Sequence, residues 1–212
     1  MNDCRKDLLV YAITDRSWLH GRTVAEQVEE ALKGGATMIQ LREKELGGAA
    51  LEEMARDVQK VCRKYGVPFL INDDVELAVR IGADGAHVGQ EDMEAGNVRK
   101  LLGPDKILGV TAKTIDQARA AAAAGADYLG SGAVFGSATK TNAKPMTLDQ
   151  FKEICACVDI PVVAIGGITL ENMEQLAGCG MAGFAIVSGI FAAEDIEGKT
   201  REIRKKAEML VK

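Results

Sequence analysis

Ile81-Gly82-Ala83-Asp84-Gly85 marks a point where an amphipathic segment stops and an apolar run begins. The same junction recurs as Lys33-Gly34-Gly35-Ala36-Thr37, Ala124-Gly125-Ala126-Asp127-Tyr128 and Gly178-Cys179-Gly180-Met181-Ala182. A left-handed residue just past the last turn commonly ends a helix, and glycine adopts that conformation without steric cost. Helix, glycine, strand is therefore the repeating unit. Outward from these junctions, apolar strand candidates begin near Leu8, Thr37, Pro68, Asp84, Lys106, Ala126, Pro161 and Met181. Periodicity predicts helices over about 23–34, 48–64, 74–81, 94–102, 114–124, 147–157, 170–177 and 196–210. Leu8 to Ile13 and Pro161 to Ile165 read as unbroken apolar runs, as strands buried on both faces should. Eight alternations predict an α/β fold, a (β/α)8 TIM barrel, over an open doubly wound sheet.

The chain is 212 residues long, which suits one domain over 1–212. Apolar residues make up 47% and charged residues 27%, which excludes a disordered or collagen-like chain. A net charge of −5 gives no general field for nucleic acid or an anionic membrane, so any anion must be held by a local cluster of cations. No apolar run approaches the roughly 18 residues of a spanning helix. Arg5 and Lys6 are followed by too short an apolar stretch for a signal peptide, so the expected location is the cytoplasm. Five cysteines without metal-ligand spacing are expected as free buried thiols.

In such barrels the working residues stand at the C-terminal ends of the strands. There this sequence carries Gln40-Leu41-Arg42-Glu43-Lys44, Asn72-Asp73-Asp74, His87 to Asp92, Thr111, Ser137-Ala138-Thr139-Lys140, Gly166-Gly167 and Ser188-Gly189. Loops after strands 7 and 8, with the start of a short helix, commonly hold phosphate, so Gly166, Gly167, Val187 and Ser188 point to a phosphorylated substrate. Tight turns alone would explain the glycine pair equally well. Arg42, Lys44 and Lys140 share the rim with Asp73 and Asp92, an inventory that fits Mg²⁺ and a diphosphate. A ring of weak surface ion pairs would explain any one of these residues but not all five together at strand ends.

Glu43, Asp74 and Glu91 read as supporting or solvated groups. The loop from about Ser131 to Met146 is long enough to serve as a lid. His20 is expected at the surface, whereas for His87 both a hydrogen-bonded structural role and a catalytic base stay open. No Ser/His/Asp set, zincin motif or P-loop is present.

These segments, together with Tyr11-Ala12-Ile13-Thr14-Asp15 and Ala164-Ile165-Gly166-Gly167-Ile168-Thr169, resemble the thiamine-phosphate synthase family nearly end to end. The resemblance implies a transferase that joins 4-amino-2-methyl-5-(diphosphooxymethyl)pyrimidine to 4-methyl-5-(2-phosphoethyl)thiazole, giving thiamine phosphate and diphosphate. Carried over residue by residue, it implies that Gln40, Arg42, Lys44, Asn72, Thr111 and Lys140 hold the pyrimidine diphosphate. Asp73 and Asp92 would bind Mg²⁺, and Ser137, Thr139, Gly167, Val187 and Ser188 would hold the thiazole phosphate. Arg42, Lys44, Thr111 and Lys140 are the expected catalytic groups. The implied partners are small molecules, with no nucleic acid and no membrane, and a homo-oligomer is compatible with the sequence.

Two departures from the family pattern stand out. Thr111 and Lys113 replace the usual serine and histidine after strand 5, and Gly132-Ala133 and Gly136-Ser137 replace Gly-Pro and Pro-Thr in the strand-6 loop. A thiazole tautomerase paralog, a phosphosugar isomerase sharing only the strand 7 and 8 loops, and a non-catalytic phosphate-binding sensor are the rival readings. The first two leave the Asp73 and Asp92 pair unused.

Overall fold

The structure is a computed structural model that describes residues 4–90, 95–136 and 146–211. Eight strands pair in parallel and close into a barrel: β1 (Val10–Ile13), β2 (Met38–Leu41), β3 (Phe69–Asn72), β4 (Gly85–Val88), β5 (Ile107–Thr111), β6 (Tyr128–Gly132), β7 (Val162–Ile165) and β8 (Gly183–Ile186). Each strand pairs with its neighbour in sequence, and β1 pairs with β8 to complete the ring. The expected barrel is thus the observed one.

Around it lie α1 (Val24–Lys33), α2 (Gly48–Tyr65), α3 (Val75–Ile81), α4 (Ala95–Leu102), α5 (Ile115–Ala123), α6 (Leu148–Ala156), α7 (Ser188–Phe191) and α8 (Ile196–Leu210). Local chemistry sets their ends. Thr23 and Glu26 form a reciprocal capping box at the start of α1, as Thr147 and Gln150 do for α6. Gly82 ends α3 at φ 64°, in the left-handed region, where a Cβ would be strained.

Alternation along the strands divides the apolar residues into two layers. Tyr11, Ile13, Met38, Leu70, Ile107, Tyr128, Val163 and Ala185 cluster inside the barrel, whereas residues such as Val10, Ile39, Ile71, Leu108 and Phe184 face the helices. Bulk inside is offset by glycine. In register, His87 lies beside Gly109 and Gly109 beside Tyr128, so the missing side chain at 109 makes room for the Tyr128 ring. Outside the barrel, Arg99 of α4 donates to the carbonyls of Gly103, Lys106 and Gly125 and pairs with buried Asp127 at 2.6 Å. Asp127 also accepts from the Leu108 N–H at 2.8 Å, so one ion pair ties a helix to the starts of two strands.

Three expectations need correction. The apolar run from Leu8 begins as a 3-10 turn over Arg5–Leu8, and β1 starts only at Val10. The segment 170–177 is not a full helix but one 3-10 turn over Met173–Leu176. Asn172 explains this: its side chain accepts from the Thr169 N–H and donates to the Gly167 carbonyl, holding the backbone in a loop. All five cysteines are free, but Cys155 and Cys157 are only half-buried. Among the described residues no helix is long and apolar enough to cross a membrane.

Candidate active site

The site is built from the residues at which each strand gives way to its loop. At the end of β2, Gln40 is buried, and its carbonyl accepts from the Thr14 N–H at 3.0 Å. The Thr14 hydroxyl in turn accepts from the Arg42 N–H at 3.0 Å, which sets the backbone on which Arg42 stands. Glu43 folds the loop back on itself, accepting from the N–H groups of Glu45 at 2.7 Å and Leu46 at 3.2 Å and from Arg16 at 3.4 Å. Burial works to raise the Glu43 pKa, but those N–H groups and the Arg16 cation outweigh it and hold the carboxyl below the usual range. Its expected supporting role is observed: it shapes the loop that carries Arg42 and Lys44.

Asp73 follows β3 with φ 63°, an uncommon conformation for a residue with a side chain. Its N–H donates to the His87 carbonyl at 2.9 Å and its carbonyl accepts from the Val75 N–H at 3.0 Å, so neighbouring backbone imposes the bend. The side chain then meets two donors at one oxygen. Lys44 Nζ lies 2.5 Å and Asn72 Nδ2 2.6 Å from Asp73 Oδ2. Asp74, next along the chain, does different work: its carboxylate caps α3 by accepting from the Leu77 N–H at 2.8 Å.

Among the described residues, no group of three or more His, Cys, Asp or Glu side chains is arranged to hold a metal. Of the two carboxylates expected to hold Mg²⁺, Asp73 is the described one, and a hard divalent cation there would rest on it together with substrate oxygens, a donor set typical of Mg²⁺. The chemistry fits, since Asp73 offers oxygen ligands at a partly exposed bend that already draws a cation to it.

Beside this cluster, His87 is buried and bonded at both ring nitrogens. Nδ1 lies 2.8 Å from the Tyr128 hydroxyl and Nε2 lies 3.0 Å from the Thr111 hydroxyl. Gln90 Nε2 donates to the Thr111 carbonyl at 2.5 Å. Of the two readings open for His87, these bonds favour the hydrogen-bonded one. His20 is exposed, as expected.

At the far side of the rim, Gly166 and Gly167 stand at φ 98° and 63°. A Cβ on Gly166 would come within 2.4 Å of the Ala133 Cβ, and one on Gly167 within 2.7 Å of the Phe135 carbonyl oxygen. The strand-6 loop runs against them, with Phe135 donating its N–H to the Gly166 carbonyl at 3.1 Å. The glycines therefore have a packing role, close approach of a second backbone, whatever else they bind. Val187 and Ser188 lead into α7, and Gly189 approaches the Ile168 carbonyl closely enough to bring these two loops together.

Gln40, Asn72 and Thr111 thus stand in the last residues of β2, β3 and β5, and Arg42, Lys44, Asp73, Gly167, Val187 and Ser188 follow the C-terminal ends of strands. Asp92, Ser137, Thr139 and Lys140, with Glu91, lie outside the described residues. Sequence reading missed Tyr11 and Tyr128, whose hydroxyls meet inside the barrel at 2.8 Å. The available signal was the glycine at strand position 109, where a Cβ would enter the space that the Tyr128 ring takes.

The family model of thiamine monophosphate synthase matches residues 10–190. The thiamine-phosphate synthase of Clostridium botulinum is 44% identical over 204 residues, 96% of this chain and 96% of that protein. That of Clostridium novyi is 46% identical over 195 residues, 92% of this chain and 96% of the relative. The solved thiamine phosphate pyrophosphorylase of Pyrococcus furiosus superposes with a TM-score of 0.90 at 36% identity, covering 98% of this chain and 99% of its own. Similarity of this extent, carried through the same closed barrel, makes the chain a member of the thiamine monophosphate synthase family.

Proposed function

We propose that this chain joins 4-amino-2-methyl-5-(diphosphooxymethyl)pyrimidine to 4-methyl-5-(2-phosphoethyl)thiazole, releasing diphosphate and forming thiamine phosphate. The observation that carries the reading is the convergence of Lys44 and Asn72 on Asp73 within 2.6 Å, at the barrel end that also holds Gln40 and Thr111. Loss of diphosphate leaves a pyrimidine methylene cation, stabilised by the amino-substituted ring, and the thiazole nitrogen captures it. No strong base is required. What the site must supply is positive charge at the departing diphosphate and protection of the cation from water.

Arg42, Lys44 and Lys140 meet the first need as cations on the diphosphate oxygens, with Thr111 as a hydroxyl donor. Gln40 and Asn72 orient the pyrimidine, while Ser137, Thr139, Gly167, Val187 and Ser188 take the thiazole phosphate. Asp73 and Asp92 would hold Mg²⁺, which when bound would add charge neutralisation at the leaving group. One domain over 1–212, a cytoplasmic location, and small molecules as the only partners, with neither nucleic acid nor membrane, belong to the same reading. Room for a homo-oligomer remains within it.

The test is to incubate the purified protein with both phosphorylated precursors, with Mg²⁺ or with EDTA, and to measure thiamine phosphate and diphosphate together. Equal amounts of both products, formed only with Mg²⁺, are expected. A folded protein that forms neither under either condition would refute the proposal and favour the tautomerase or sensor alternatives.

A further inference from the structure

Four hydrogen bonds run in series through the barrel interior. The Gln40 amide Nε2 donates to the Tyr11 hydroxyl. Tyr11 Oη lies 2.8 Å from Tyr128 Oη, Tyr128 Oη lies 2.8 Å from His87 Nδ1, and His87 Nε2 lies 3.0 Å from Thr111 Oγ1. Both tyrosines are fully buried.

Counting protons along this series gives it a direction. Because Tyr11 oxygen accepts from the Gln40 amide, its own proton goes to the neighbouring Tyr128 oxygen. Tyr128 then directs its proton to the remaining neighbour, His87 Nδ1, which must be a bare acceptor nitrogen. A neutral imidazole accepting at Nδ1 carries its proton at Nε2. That proton is donated to the Thr111 oxygen, so the Thr111 hydroxyl proton points onward, toward the rim. Reversal at any one link would bring two protons between one pair of atoms or none between another, at a cost that burial magnifies.

We propose that Tyr11, Tyr128 and His87 form a hydrogen-bond chain of one direction, from the Gln40 amide to Thr111, which holds His87 as the Nε2–H tautomer and aims the Thr111 proton at the departing diphosphate. The last step rests on the function proposed above; the tautomer does not. His87, Tyr11 and Tyr128 are then positioning residues that act through Thr111. The glycines at 109 and 130 belong to the same device: a Cβ at Gly109 would enter the Tyr128 ring space, and one at Gly130 would lie 3.1 Å from His87 Cε1. A threonine at 111 keeps the hydroxyl that the series ends on.

The experiment is long-range proton–nitrogen correlation on the nitrogen-15-labelled full chain at neutral pH. With only two histidines in the sequence, a His20→Gln variant assigns the His87 ring. The expected spectrum shows the proton on Nε2 and a bare Nδ1. In Tyr128→Phe, Nδ1 loses its donor, so the tautomers should mix, and kcat for coupling should fall about 10- to 100-fold with little change in either KM. Thr111→Val should lower kcat for coupling to a similar degree.

A wild-type proton on Nδ1, or a Tyr128→Phe protein with the wild-type tautomer and unchanged kcat, would overturn the proposal. Should Tyr128→Phe not fold, the wild-type spectrum still decides, and Tyr11→Phe interrupts the series one link earlier. If the wild-type protein forms no thiamine phosphate yet shows the Nε2–H ring, the proposed function fails and the directed chain stands.

Discussion

Tyr11 and Tyr128 are tyrosines only in part for their rings; as phenols they also commit the barrel interior to a protonation state. Burial, the largest cause for each, pushes both hydroxyls well above the usual phenol value of about 10. A group whose folded pKa is raised contributes stability fully present below its unfolded pKa and lost as pH rises toward the folded one. The window therefore opens near pH 10, where unfolded tyrosines release protons that the native ones keep. Each phenol should then remove up to about 1.4 kcal/mol of stability per pH unit above that point. Urea midpoints measured between about pH 9 and 11 should fall more steeply for the wild-type protein than for Tyr11→Phe. Parallel pH profiles would contradict this assignment. At this scale the sequence marked candidate residues at strand ends and not how they are arranged. Asp73 was marked by its place at a strand end, but its left-handed backbone comes from a bond to the His87 carbonyl, a contact between neighbouring strands. His87 stayed ambiguous for the same reason, since its partners lie 24 and 41 residues further along the chain.

Strand β5 both contributes Thr111 to the candidate site and prepares the space beneath it. Gly109 lies between His87 and Tyr128 in the register, and an alanine there would put its Cβ 2.2 Å from the Tyr128 ring and hydroxyl. A buried ring cannot swing aside, so Gly109→Ala should cost about 1–3 kcal/mol as overpacking. Gly96 in α4 is the control, because among the described residues a Cβ there meets nothing within 4 Å. Gly96→Ala should be neutral or stabilise by up to about 1 kcal/mol. Equal urea midpoints for the two variants would remove the argument for a glycine-made space. Element boundaries were readable wherever a glycine or a capping side chain ended the periodicity, as at Gly82 and Thr147. They were misread at 170–177, where the Asn172 side chain holds a loop that apolar spacing alone does not reveal.

The whole molecule gathers residues from strands far apart in sequence onto one rim, a placement that belongs to the closed barrel rather than to any one loop. Arg42, Lys44, Asn72 and Asp73 come from β2 and β3, while Gly167, Val187 and Ser188 come from the opposite end of the chain. Eight alternating units were evident from four glycine junctions taken with the apolar runs and helical periodicity between them, and the expectation of a closed ring followed from their number. The pairing of β1 with β8 is what turns that list into a site with two sides. Under the proposed function, the Asp73 side serves the leaving group and the Ser188 side holds the thiazole phosphate.

Steady-state kinetics of Asp73→Ala and Ser188→Ala, with each substrate varied in turn, test this division. Asp73→Ala should lower kcat by about 10²- to 10³-fold, the size of a lost transition-state charge contact. Ser188→Ala should raise KM for the thiazole phosphate about tenfold and leave kcat nearly unchanged, as loss of one hydrogen bond to a charged group would. A reversed pattern, with turnover lost at Ser188 and only affinity lost at Asp73, would contradict the two-sided rim.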